Sequence, residues 1–490
     1  MDGLTSATST YMNARPLDVH TWSEHPEVNE FVNEIYSELS GVFGNVRINK
    51  RLLKVLLLDL FLAWKDDPEL MIMISRDNNS FKAKSRYNEI NISKKIIDIV
   101  DLLHANRMIE MKNGFNDRIS GVGFQTRIWP SEFLIANFHH ARFSKFDTSF
   151  HEGRETIILR DDDKNDVEEY EDTPETHRMR TLMTDYNALL DRTHVDICTL
   201  NKPVIVTGTK KRKQTLQIDQ KGKFVRRIFN ESRWDKGGRF YGGWWQRCPK
   251  KYRESITLDR YETCEIDFSG LHIVILYGQE GINYWQEINE DPYQLMINDY
   301  DPEIDLRQAA KLLLLTAINA KEEKAAFAAF RRQAEKGTPE KRLTNEQLKS
   351  LLTALQRKHQ PIAHKLASGA GIDLMNVDGQ ITEKLIERFT YHYKCPILTV
   401  HDSYIVPFGY DRYLYREMQQ AFEEVTGVSD PVAKHTTEYY DIVENEPYPP
   451  VPEQHLEHVT KRHLDDWKEF KTAKGKPEVP EWHPPWTMVY

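Results

Sequence analysis

A chain of 490 residues can fold as roughly two to four domains, and its 40% hydrophobic, 11% aromatic and 29% charged content belongs to a folded protein rather than a disordered one. No run of about 18 apolar residues occurs, since the best stretch, VLLLDLFLAW (55–64), carries Asp59; no spanning segment and no membrane partner are expected. The net charge of −9 conceals a division, with nine acids against one lysine in DDDKNDVEEYEDTPET (161–176) and sixteen Lys or Arg against five acids between Lys210 and Arg260.

Residues 1–28 read as a poorly ordered N-terminus, without the basic-then-apolar order of a secretory signal. Residues 29–145 read as a helix-rich domain ending in a hairpin. FVNEIYSEL (31–39) and NKRLLKVLLLDLFLAW (49–64) have helical periodicity. In SKKIIDIVDLLHANRMIEMKNGFNDRISGVGFQTRIWPS (93–131), Ser93 is a good N-cap, and Ile96, Ile97, Val100 and Leu103 form one apolar face. The following helix–strand–loop–strand pattern resembles a winged helix, whose helix would lie in a DNA groove. An acidic connector and a helix fill 146–200, the helix at about 175–193. Residues 201–445 hold the chemistry, and 446–490 form a Pro/Trp-rich tail with a short helix within 453–472. The four cysteines (198, 248, 264, 395) are far apart, form no C-x-x-C pair and read as reduced and structural, so the cytosol is the default compartment.

The basic segment 210–260 interleaves its cations with Phe224, Phe229, Trp234, Phe240, Tyr241, Trp244 and Trp245, the composition of a surface that neutralises phosphates and stacks bases. KKRK (210–213) alone is as readily a solvated face.

Two apolar strands carry an acid where burial is costly: Asp267 in ETCEIDFSGLHIVILYG (262–278) and Asp402 in CPILTVHDSYIVP (395–407). Either aspartate alone is explained by capping a turn. Together they suit a divalent-metal site, since Mg²⁺ takes oxygen ligands from one or two carboxylates and substrate phosphates. DPEIDLRQAAKLLLLTAINAK (301–321) reads as a helix capped by Asp301, with Pro302 in its first turn. Arg307 and Lys311 stand four apart on one face, placed to snorkel to solvent or to clamp a triphosphate.

These elements in this order resemble the single-subunit polymerase superfamily, which joins family A DNA polymerases to the one-chain RNA polymerases of phages and mitochondria. EIDFSGLH is similar to the first palm motif, RQAAKLLLLTAIN to the fingers helix, and TVHDSYIV to the second metal-binding palm motif. DKGGRFYGGWWQ (235–246) is similar to the segment contacting template or primer, and GIDLMNVDGQITEKLIERF (371–389) to the helix before the last palm motif. The resemblance covers about 200–430. It implies an α+β fold: a right-hand polymerase palm on an antiparallel sheet, helical fingers and a reduced thumb, behind the N-terminal winged-helix-like domain. It implies two Mg²⁺ ions, with Mn²⁺ as an alternative, on Asp267 and Asp402. Arg307 and Lys311 would grip the incoming nucleotide, with His272, Leu315 and Asn319 beside it, and Lys311 would also protonate the leaving group. Arg239, Tyr241, Gln246 and His401 would face nucleic acid.

Departures bear on the sugar. His272 stands where family A DNA polymerases usually carry a Glu that blocks the ribose 2′-hydroxyl, and Leu315 and Asn319 replace an aromatic ring and a Tyr. His-Asp-Ser is the pattern of the RNA polymerases, so ribonucleotide tolerance, as in a primase-like enzyme, is expected. The partners are DNA template and primer, with RNA as an alternative, and nucleoside triphosphates. The rival readings are a catalytically inactive polymerase-like DNA-binding initiator or regulator and, lowest, a metal-dependent nuclease.

Overall fold

The structure, a computed structural model, describes residues 13–43, 49–81, 84–117, 122–209, 212–297, 300–429, 431, 433–435 and 459–473. It is mixed α+β, with one small N-terminal sheet and a larger antiparallel sheet further along the chain. Two large cores correspond to these parts.

The N-terminal unit contains β1 (Ala14–Pro16), α1 (Pro26–Phe43), α2 (Lys50–Asp66), β2 (Met71–Ile74), α3 (Lys95–Ala105), β3 (Ile109–Lys112), β4 (Thr126–Pro130) and α4 (Glu132–His140). Its sheet runs β1-β2-β4-β3, parallel at β1–β2 and antiparallel elsewhere. Residues 13–28 are therefore not a loose end: β1 pairs with β2, Thr21–Trp22 pairs with Ser149–Phe150, and α1 already begins at Pro26. A small hairpin, Phe115–Asp117 against Val122–Phe124, extends from the strands. Ser93 does not cap α3 with its side chain; Lys94 is the N-cap, and Ser93 contributes only its carbonyl, to Ile96 N–H at 2.9 Å. Asn49 caps α2 by accepting from Arg51 N and Leu52 N, and every residue from Leu52 to Ala63 is buried. Asp59, the acid inside that apolar run, is held by Arg15 at 2.8 Å and by Lys221 from the second unit, so it ties the two units together.

The second unit begins with β5 (Ile157–Leu159), α5 (Pro174–Asp191), β6 (Val195–Ile197), β7 (Val204–Thr209), β8 (Arg212–Gln217), β9 (Arg226–Asn230), β10 (Arg233–Tyr241) and β11 (Ile256–Leu258). It continues with β12 (Tyr261–Phe268), α6 (Leu271–Gln279), α7 (Leu306–Asn319), α8 (Glu323–Gln333), α9 (Asn345–Lys358), α10 (Gly371–Glu387), β13 (Leu398–Val400), β14 (Ser403–Pro407), α11 (Asp411–Thr426), β15 (Ala433–His435) and α12 (Lys461–Thr472). The central sheet runs β6-β11-β12-β14-β13, all antiparallel, and β15 pairs with the C-terminal end of β12. A three-stranded sheet, β10-β9-β5, stands beside it.

Helix α7 starts at Leu306, capped by Asp305, whose carboxylate accepts from Gln308 N at 3.0 Å. Asp301, the expected cap, instead closes a local turn on Glu303 N. Helix α9 carries a reciprocal capping box between Thr344 and Gln347. Helix α10 lies directly on β10 because two glycines meet: a Cβ on Gly379 would stand 2.3 Å from the Gly238 carbonyl oxygen. In the C-terminal region only α12 and its flanks fall within the described residues; the Pro-rich stretches around it lie outside them. Helix α12 packs Phe470 on Phe146 and sends Asp466 to Lys145 (2.9 Å), while His463 and Arg462 reach Asp196 of β6.

Candidate metal centre

Strand β12 alternates its side chains, so Glu265 and Asp267 leave the same face. Asp267 is directly opposite Ser403 on β14. Asp402 occupies the two-residue turn before Ser403, and its carbonyl accepts from Phe268 N at 3.2 Å. Two acids 135 positions apart in sequence thus stand at one end of the sheet, Asp267 on β12 and Asp402 in the turn that leads into the neighbouring strand β14. His401, the first turn residue, has φ +56°, a left-handed conformation in which His is among the enriched non-glycine residues.

The surroundings differ for each acid. Glu265 is neutralised by Arg253, whose Nε and Nη2 donate at 3.0 and 2.9 Å, and it accepts from Ser403 Oγ at 2.6 Å. Ser403 therefore braces the neighbouring carboxylate. Asp267 has no comparable ion pair among the described residues, and its carboxyl is pushed up to about 7, by burial first, then by Asp402 and Glu265, against the pull of Lys311 and Arg253. A buried carboxyl held against like charge favours a bound cation, which restores the ionised form. Two carboxylates of this kind are a hard oxygen donor set and fit a Mg²⁺-class ion.

Helix α7 supplies the cations above this site. Arg307 Nε donates to Asp291 at 2.7 Å, and its guanidinium and the Lys311 ammonium each lie 5.6 Å from the Tyr293 ring centroid. Tyr293 is 7% exposed, and its hydroxyl is pushed up to about 12, by burial first and then by Asp402 and Asp291, with Asp267 also contributing. Sequence reasoning missed Tyr293; the signal available was an aromatic in DPYQ, between the two motifs, with nothing to mark its direction. Leu315 and Lys311 line a cleft of about 310 Å³ between α7 and the segment after α8. Asn319 is turned back to its own helix, donating to the Leu315 carbonyl at 2.7 Å.

On the other side, Arg239 is committed to Asp378 of α10, and its Nη2 stands 2.9 Å from His272 Nε2. Since the guanidinium can only donate, His272 accepts through Nε2 and carries its proton on Nδ1, a buried nitrogen without a partner among the described residues. Burial and the adjacent Arg239 push the imidazole down to about 3, so it is neutral. Asp378 is fully buried and pushed up to about 6, by burial against the pull of Arg239, with Asp402 adding to the rise. Tyr241 approaches His401, ring centroids 6.0 Å apart.

The basic-aromatic segment is corrected here. Phe224, Phe229, Phe240, Trp244 and Trp245 are all buried, so they build the core rather than a base-stacking platform. Six of the segment's cations are spent on acids: Lys221 on Asp59, Arg227 on Glu383, Arg233 on Asp235, Lys236 on Asp373, Arg239 on Asp378 and Arg253 on Glu265. Gln246, expected to face nucleic acid, gives its amide to the carbonyls of Phe240 (2.9 Å) and Thr399 (3.1 Å) and accepts from Gly242 N. Strand alternation sends the aromatic side chains inward and brings the cations against acids of distant elements, which composition does not reveal.

No protein-family model and no curated protein matches the chain. Among solved structures it is similar to the POL domain of Pol1 from M. smegmatis in complex with DNA primer-template and dNTP, at 10% identity, with a TM-score of 0.30, over 85% of this chain and 66% of that one. The chain thus spans just under two thirds of that structure, and a likeness at this TM-score carries no weight for the chemistry. No helix among the described residues is long and apolar enough to cross a membrane.

Proposed function

We propose that the chain is a template-directed nucleotidyltransferase, a DNA or RNA polymerase of primase-like character that adds nucleoside triphosphates to a nucleic-acid 3′ end. The observation that carries this reading is the convergence of Asp267 on β12 and Asp402 in the turn before the adjacent β14, beneath Arg307 and Lys311. Asp267 and Asp402 would hold two Mg²⁺ ions, with Mn²⁺ as the alternative; when bound, such ions supply a more acidic attacking hydroxyl and charge stabilisation for departing pyrophosphate.

The chain's own residues position and neutralise. Arg307 and Lys311 are exposed on one face of α7, where they meet the triphosphate, and Lys311 is the proton donor to the leaving group. Tyr293 holds both cations over the acids. His272, neutral and presenting an unpaired Nδ1–H, donates to a sugar hydroxyl, which favours ribonucleotides over a steric block. Leu315 and Asn319 border the nucleotide, and His401 and Tyr241 border the strand. Arg239 acts through His272 rather than by touching nucleic acid. The unit with α3 and its hairpin is a winged-helix-like duplex contact, presenting Lys94, Lys95 and Arg107 beside Asp98 and Asp101.

Primer extension with Mg²⁺, supplying rNTPs and dNTPs separately, with and without primer, tests this. Wild type extends and Asp402→Asn does not. Equal extension by both would refute the metal assignment; extension by neither would favour the inactive DNA-binding reading, and shortened substrate the nuclease.

A further inference from the structure

Six cations of the 210–260 segment are matched to acids, but Arg226 is not, and neither is Arg154 beside it. Neither makes an ion pair among the described residues, and Arg226 Nε and Arg154 Nε and Nη1 are buried without hydrogen-bond partners. The Arg154 guanidinium carbon lies 3.8 Å from the Phe224 ring centroid and 4.7 Å from that of Phe150, two rings that meet edge to face at 63°. These ring contacts engage the guanidinium carbon but leave its N–H groups to be satisfied by something else. The nearby acids pair with neither guanidinium: Asp18 accepts from His20 N at 2.9 Å, Glu89 pairs through Oε1 with His20 at 3.0 Å and leaves Oε2 without a partner among the described residues, and Asp166 pairs with Arg160 at 2.9 Å.

Burial is the main cause that pushes Arg154 down, to about 10, with Asp18 and Glu89 opposing it and Arg226 adding to it; Arg226 is lowered by burial and by Arg160, against the pull of Asp166, Asp18 and Glu89. The carboxylates nearby offset part of the charge but bond to none of these buried N–H groups, which an incoming oxyanion would satisfy. Their location says which anion. Arg226 is directly opposite Tyr241, so the two side chains leave the same face, and Tyr241 adjoins His401, the residue before Asp402.

We propose that Arg154 and Arg226 form a phosphate-binding site between the N-terminal unit and the β9–β10 hairpin, which seats a backbone phosphate of the nucleic-acid strand leading to Asp402. The strand assignment rests on the polymerase reading; the phosphate site does not. Planar guanidinium forks match phosphate oxygens in pairs, and seating one would satisfy the orphaned N–H groups.

The test uses the full chain with Arg154→Met and Arg226→Met, which keep the apolar stem. Binding of a labelled single-stranded oligonucleotide is followed by fluorescence anisotropy across a salt series. Each variant is expected to bind about tenfold more weakly, with a salt slope shallower by about 0.7 for the lost contact. In phosphate-free buffer the melting temperature should hold or rise, because an unpaired buried charge has been removed; a structural ion pair would lower it. Unchanged oligonucleotide affinity, with inorganic phosphate or tripolyphosphate raising the melting temperature of wild type alone, would keep the site and overturn its assignment to a strand. Unchanged affinity with no phosphate response, or lower melting temperatures in phosphate-free buffer, would overturn the site. Asp402→Asn separates this from the polymerase reading: it should bind the oligonucleotide as wild type does while failing to extend it.

Discussion

Metal binding at the acid pair should release protons, in an amount set by the structure. With Asp267 pushed up to about 7, its carboxyl carries about half a proton at pH 7 that a bound ion must displace. The displaced amount should rise to about 0.9 at pH 6 and fall to about 0.1 at pH 8, so Mg²⁺ affinity should increase about tenfold between those values. Titration calorimetry in two buffers of different ionisation enthalpy reads the proton count directly from the difference in apparent heat. Asp267→Asn should abolish both the release and the pH dependence, whereas Lys311→Ala, which removes a cation that lowers Asp267, should move the transition to higher pH. Equal affinity at pH 6 and pH 8, or identical heats in both buffers, would refute the reasoning that burial and like charge hold Asp267 protonated.

Arg253→Met strands the buried Glu265 beside Asp267 and should cost about 3 kcal/mol, with the double variant Arg253→Met/Glu265→Gln recovering most of it; urea midpoints at constant slope measure both. Asp378 is an acid whose folded value, about 6, lies above its unfolded one. Its sign is therefore the reverse of the usual salt-bridged carboxylate: the folded form binds the extra proton, so metal-free stability is greatest at low pH and falls as pH rises from about 4 to 6, by about 3 kcal/mol. Asp378→Asn should flatten that interval in pH-dependent melting curves. Gly379→Ala drives a methyl group into the Gly238 carbonyl, and should destabilise by at least about 2 kcal/mol by urea denaturation while moving α10 off β10.

What the sequence disclosed depended on whether a residue's partner lay nearby in the chain. Helix existence is a local pattern, and the periodic stretches at 31–39, 49–64 and 301–321 each fall on a helix. Asp301 and Asp305 are both competent caps six residues or fewer from the same helix, and only the fold chooses Asp305. The larger misreading was of 210–260, where composition cannot distinguish a solvated arginine from one that crosses 156 positions to reach Glu383. Tyr293 escaped for the same reason: its role is defined by α7 above it and β12 and β14 beside it, three elements it does not touch in sequence.

The aspartate in the β13–β14 turn explains why a costly residue sits in so apolar a hairpin. A carboxylate in the middle of either strand would meet the packed core, where no ion could reach it with its waters. Placed at the turn, Asp402 keeps its backbone in the sheet, with its carbonyl bonded to Phe268 N, while its carboxylate remains half-buried at the sheet's end. His401 takes the left-handed φ that so short a connection requires, and Ser403 re-enters the ladder and pins Glu265. The result is a rigid acid next to a raised one: Asp402 is fixed by the ladder, and Asp267 is poised by the charges around it. Lengthening the turn by one glycine between Asp402 and Ser403 would leave both carboxylates in the chain but shift Asp402 out of register with Asp267. It should abolish the proton release described above without unfolding the protein, since the hairpin core of Leu398, Tyr404 and Ile405 is untouched. Retained proton release in that variant would show that geometry at the turn is not what couples the two acids.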